Sequence, residues 1–128
     1  MSADRPHLAP RRSIDQLLAD ARAGLDRLTA AETLAAVDQG AVVVDIRPAA
    51  QRAAEGSWSQ ALVVERNVLE WRFDPASDAR LPIADYDLRV VVLCQQGYTS
   101  SLAAAALQQL GVWRATDVIG GWEALRSL

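Results

Sequence analysis

The sequence predicts an α/β fold in one domain, a parallel sheet with helices packed against it. Three observations carry this. Val42-Val43-Val44 and Val90-Val91-Val92-Leu93 are uninterrupted apolar runs rich in β-branched residues, the character of strands buried on both faces. Each run passes through a short polar stretch into a segment with helix-forming composition. Strands and helices alternate along most of the chain, the pattern of parallel strands joined by right-handed crossovers. The chain has 128 residues, the length of one domain.

Residues 1–12 hold two prolines and three arginines with little apolar content and are expected to form an exposed tail. His7, in this tail, has no neighbours suited to a metal cluster and reads as solvated. Residues 13–24 predict an N-terminal helix and its stop. Ser13 and Gln16 form a capping box, Ile14, Leu17, Leu18 and Ala21 an apolar stripe, and Gly24 the end. This helix packs against the domain or a second subunit. The domain proper spans residues 25–128. Residues 25–28 read as a short edge segment, and Thr29 and Glu32 as a second capping box. The helix that follows reaches about Asp38, with Leu34 and Val37 expected to face inward. Ala41–Val44 is a strand that ends in Asp45 and Arg47. Residues two apart on an extended chain face the same side, so these two are either a surface ion pair or a pair at the carboxyl edge of the sheet. A short helix over 48–54 begins at Pro48, a favoured first position. A strand over 62–64 and a short helix over 66–72 follow. Trp58 and Trp71 are candidates for a substrate mouth or for core and lid packing. Residues 73–87 form a polar surface connection. After the strand at Val90–Leu93, a helix is expected over 102–110, closed by Gly111. A last strand covers 115–119, and Gly120-Gly121 turns into a short helix with Trp122 and Leu125.

The chemistry concentrates where Val90–Leu93 runs into Cys94, the only cysteine. Gln95, Gln96, Gly97, Tyr98, Thr99 and Ser100 separate it from the helix. Open parallel sheets place their ligands at the carboxyl ends of strands. A helix N-terminus there presents free N–H groups and a dipole that favour an anion, and a thiolate is such an anion. The alternative is a buried cysteine acting as a small hydrophobe. Its polar surroundings and Gly97, which permits a tight turn, favour the reactive reading.

The segment Cys94-Gln95-Gln96-Gly97-Tyr98-Thr99-Ser100 resembles the active-site loop of the rhodanese family of sulfurtransferases. Asp45 and Arg47 match the family's Asp-x-Arg. Arg27-Leu28-Thr29-Ala30-Ala31-Glu32 and the closing Gly120-Gly121-Trp122 resemble its two ends. Gly56-Ser57-Trp58-Ser59-Gln60-Ala61 keeps the first glycine and the alanine of the family's Gly-His-Ile-x-Gly-Ala phrase and lacks its histidine and second glycine. The resemblance covers about residues 25–125. It implies a five-stranded, mostly parallel sheet with helices on both faces. It also implies that Cys94 accepts sulfur as a persulfide within the amides of the 95–100 loop, assisted by the Thr99 and Ser100 hydroxyls. Asp45 and Arg47 are implied to be supporting residues, and no metal or cofactor is implied. The expected partners are a small sulfur donor such as thiosulfate and a thiol acceptor, small redox proteins included.

Composition narrows the remaining classes. The net charge of −3 and pI near 5 do not suggest a nucleic-acid surface. The chain has no lysine, which excludes a Schiff-base mechanism and a Walker-type phosphate lysine. A lone cysteine forms no internal disulfide and fits a cytoplasmic setting. No apolar run approaches membrane-spanning length, and no signal-peptide core follows the first arginines. A cysteine phosphatase needs an arginine six residues after its nucleophile, where this chain has Ser100. A thioredoxin-like protein needs a second cysteine. A rhodanese-like module that carries sulfur with little turnover stays open, because Gln95 and Gln96 stand where many rhodanese loops have cations. The oligomeric state stays open as well.

Overall fold

A computed structural model describes residues 9–128. Most of the expected tail, with His7, lies outside the described residues. The elements are α1 (Ile14–Ala23), α2 (Ala30–Asp38), β1 (Val42–Asp45), α3 (Ala49–Glu55), β2 (Leu62–Val63), a 3₁₀ turn (Arg66–Val68) running into α4 (Leu69–Phe73), β3 (Val90–Leu93), α5 (Thr99–Gln109), β4 (Thr116–Asp117) and α6 (Gly121–Arg126). The strands form one parallel sheet in the order β2-β1-β3-β4, with Val42 beside Val90 and Asp45 beside Leu93 in the central pair.

The expected fifth strand shrinks to one residue. Leu28 forms a single parallel bridge with Val118 beyond β4. Its N–H donates to the Asp117 carbonyl at 3.0 Å, and its own carbonyl accepts from Ile119 N at 2.8 Å. The next residue, Thr29, already caps α2, so the chain turns away before a second pair can form. The sheet therefore has four strands.

Both predicted capping boxes are present. Ser13 Oγ accepts from Gln16 N while Gln16 Oε1 accepts from Ser13 N, and Thr29 and Glu32 repeat the exchange. The Thr29 backbone N–H, and then its hydroxyl, hold the Glu32 carboxyl below its ordinary value.

Alternate strand residues divide the core between the two sheet faces. Val90 and Val92 pack with Leu69, Phe73, Ala103 and Leu107, beneath α4 and α5. Val91 and Leu93 pack with Ala36, Val118 and Leu125, beneath α2 and α6. Burying a side chain such as Leu107 contributes about 1.5–3 kcal/mol. The inward face of α2 matches the expected one at Val37, which packs on the core, and differs at Leu34. Ala30, Thr33 and Ala36 are buried and Leu34 is exposed, because small residues let the helix lie close to the sheet. Helix α1 packs on α5 of the same chain, one of the two expected docking surfaces. None of its residues is fully buried, and Ile14 and Leu17 of its stripe stay exposed.

Helix α5 starts at Thr99, three residues before the apolar stretch that predicted it. Ser101 N donates to the Tyr98 carbonyl at 3.1 Å and closes the first turn. Buried Ser100 and Ser101 are accommodated there because both hydroxyls find a buried acceptor.

Candidate active site

Strand β3 carries Cys94 to the carboxyl edge of the sheet, where its side chain is buried. The chain then turns through Gly97, whose φ of +82° few other residues adopt. This turn brings the Gly97 N–H back to Cys94 Sγ at 3.3 Å. The N–H groups of Gln95, Gln96, Tyr98 and Thr99 have no acceptor among the described residues. No side chain caps the start of α5. The Gly97 N–H meets the sulfur, and the other unbonded N–H groups lie between Cys94 and the start of α5, a cradle suited to a negative charge.

The front of this loop rests on Asp45 and Arg47, both at the carboxyl end of β1 and both 1% exposed. Arg47 donates to Asp45 from Nε at 3.0 Å and from Nη2 at 2.7 Å. Its remaining bonds reach the Gln95 side chain at 2.9 Å and the Gly56 carbonyl at 3.0 Å. All but one of the guanidinium N–H groups are thereby committed. The Trp122 ring covers the same guanidinium, 5.2 Å from its centroid.

The floor is the first turn of α6. Trp122 N donates to the Cys94 carbonyl at 2.8 Å and Glu123 N to the Gln95 carbonyl at 3.1 Å. Gly121, at φ +59°, lies so close that a Cβ there would collide with the Cys94 carbonyl oxygen.

The back of the loop rests on Asp117, which the sequence reading did not single out. Asp117, fully buried in β4, accepts from Arg27 and from the Ser100 and Ser101 hydroxyls, each serine at 2.7 Å. Ser100 thus differs from expectation. Its hydroxyl serves Asp117 and not the sulfur cradle. An aspartate inside the apolar run over 115–119 was the available signal, since a buried carboxylate requires partners.

A cleft of about 260 Å³ opens over Cys94, lined by Ile46, Arg47, Pro48, Gln51, Gln96, Tyr98 and Thr99 among others. Trp58 and Trp71 do not line it. Trp58 packs on the core, and Trp71 is exposed on α4. A larger groove, about 570 Å³, lies between α1 and α5, but it contains no nucleophile, so the Cys94 cleft is the candidate site. Among the described residues, no group of three His, Cys, Asp or Glu side chains is placed to hold a metal ion.

The rhodanese-like domain family matches residues 29–128. The chain belongs to the rhodanese-like family. This rhodanese-like chain matches no curated protein. It is similar to a protein of unknown function from Rhodopseudomonas palustris CGA009, described as a possible tyrosine phosphatase. The two are 30% identical over 94% of this chain and 93% of the other, with a TM-score of 0.82. A rhodanese-related protein from Thermoplasma volcanium is 22% identical over 79% of this chain and 90% of its own, at a TM-score of 0.61. The human single-domain sulfurtransferase TSTD1 is 18% identical over 79% and 95%, at 0.63. The last two share the α/β rhodanese fold.

Proposed function

We propose that this rhodanese-like domain transfers sulfane sulfur through a persulfide on Cys94. The observation that carries the reading is the cradle, in which Gly97 N donates to Cys94 Sγ while neighbouring loop amides have no other acceptor. In the first half-reaction the Cys94 thiolate attacks the outer sulfur of thiosulfate. A new S–S bond forms, and the old one breaks with its electron pair leaving on sulfite. The resulting Cys94 persulfide carries one negative charge, which the loop amides stabilise as they would an oxyanion. In the second half-reaction an acceptor thiolate, or cyanide in an assay, takes the outer sulfur and releases the Cys94 thiolate. Asp45 and Arg47 support the loop and do not touch the reacting atoms.

A second reading is that the domain mainly carries sulfur for a partner thiol. The committed bonds of Arg47 favour it, since the cleft then has little cationic charge to draw in a dianionic donor. A phosphatase reading, prompted by the Rhodopseudomonas description, is less well supported. Its phosphate-binding arginine would occupy position 100, where a serine donates to Asp117.

The test is intact-mass measurement after incubation with thiosulfate. The wild-type protein should gain one sulfur atom, and Cys94→Ser should gain none while remaining folded. Thiosulfate turnover by Cys94→Ser would overturn the mechanism.

A further inference from the structure

Helix α1 precedes residue 29, where the family match begins, yet it reaches the Cys94 loop. Arg22, in its last turn, donates from Nη2 to the Gly97 carbonyl at 2.7 Å and from Nε to Ser101 Oγ at 3.0 Å. Arg27, in the segment after α1, donates to the same carbonyl at 2.9 Å and to both carboxylate oxygens of Asp117 at 2.8 and 3.2 Å. Two guanidinium groups therefore share one backbone oxygen of the active-site loop. The Arg22 guanidinium also lies over the Tyr98 ring, 5.6 Å from its centroid.

This arrangement has an electrostatic sign. Asp117 neutralises Arg27, whereas Arg22 has no carboxylate partner among the described residues. One positive charge is left behind the loop. The Gly97 carbonyl and the Tyr98 N–H belong to one planar trans peptide and point in opposite directions. Neither arginine lines the Cys94 cleft, so the oxygen is drawn away from it and the Tyr98 N–H is directed away from the arginines. Charged donors on a carbonyl also strengthen the N–H of the same peptide as a donor.

We infer that Arg22 and Arg27 are positioning residues that clamp the Gly97–Tyr98 peptide, making α1 a working part of the site. Through that peptide they supply from behind the positive charge that Gln95 and Gln96 do not supply in front. The inference rests on the sulfur-transfer reading for its chemistry and on geometry alone for the clamp.

The experiment compares wild type with Arg22→Met, which keeps the apolar stem over Tyr98 and removes the donors, and with Arg22→Lys, which keeps a charge and a donor. Amide hydrogen exchange reads the loop without any sulfur chemistry. Intact-mass time courses with thiosulfate read persulfide loading. Arg22→Met should speed exchange within residues 94–98 and lower the maximal loading rate about tenfold, a smaller loss than removal of a cradle donor itself. The thiosulfate concentration for half-maximal rate should change little, and Arg22→Lys should restore most of the rate. Wild-type exchange and loading in Arg22→Met would overturn the clamp, as would a rate that lysine fails to restore. If thiosulfate loads no form of the protein, the sulfur-transfer reading fails in this assay, and loop exchange alone decides whether the clamp exists.

Discussion

Arg47 grips Asp45 with two guanidinium bonds of 3.0 and 2.7 Å in a site closed to solvent, and the same guanidinium reaches the Cys94 loop through Gln95. Two residues that the chain separates by one position thus join β1 to a loop that begins 47 positions after Arg47, at Cys94. The pair transmits the position of β1 to the Cys94 loop.

Removing one partner should be costly. Asp45→Ala leaves a guanidinium buried without its carboxylate, a loss of about 3–5 kcal/mol. For a domain of this size that lowers the melting temperature on the order of 10 °C. Persulfide loading should fall with it, since Gln95 loses a fixed anchor. Thermal denaturation and intact-mass loading check both, and an unchanged melting temperature would remove Asp45 from the support of the loop.

Glycine is required at position 121 for two separate reasons. Its φ is +59°, and an added Cβ would approach Gly97 N to 2.7 Å and the Cys94 carbonyl oxygen still more closely. Gly40 has φ +97° with open space around it. Gly40→Ala should therefore cost only backbone strain, about 1 kcal/mol, while Gly121→Ala should cost more than about 2 kcal/mol and displace the loop. Melting curves of the two variants, with loading rates beside them, separate strain from collision. Equal losses would show that the close approach of α6 is not needed.

Under the proposed function, donor preference is expected to follow charge at the mouth. Gln95 is the wrong place to add a cation, because its Oε1 accepts from Arg47 and an arginine there would face another guanidinium. Gln96 is exposed and lines the cleft. A partly exposed charge contact is worth roughly 1 kcal/mol, and each 1.4 kcal/mol is about tenfold in rate. Gln96→Arg should raise kcat/KM for thiosulfate by several-fold to about tenfold, with a smaller gain for an uncharged donor and a loss of the gain at high salt. Steady-state kinetics at two ionic strengths check this. Equal gains for charged and neutral donors would show that charge at the mouth does not set donor preference.

The sequence by itself determined the features whose causes lie within about ten residues. The capping boxes at Ser13 and Thr29, the all-apolar runs of β1 and β3, and the strand–loop–helix around Cys94 are local patterns, and the structure contains them. The family was legible for the same reason, since the loop and Asp45–Arg47 are short phrases. Tertiary structure decided everything that needs a partner far along the chain. Ser100 turns to Asp117, 17 positions away, and Arg22 finds Gly97 across 75. Leu28 contributes one bridge and not a strand, because Asp117 and Ile119 meet it for a single residue before Thr29 starts a helix. Periodicity shows which side of an element is apolar. Which buried donor meets which acceptor depends on where the crossovers bring β4, α1 and the loop together, and no local pattern specifies that.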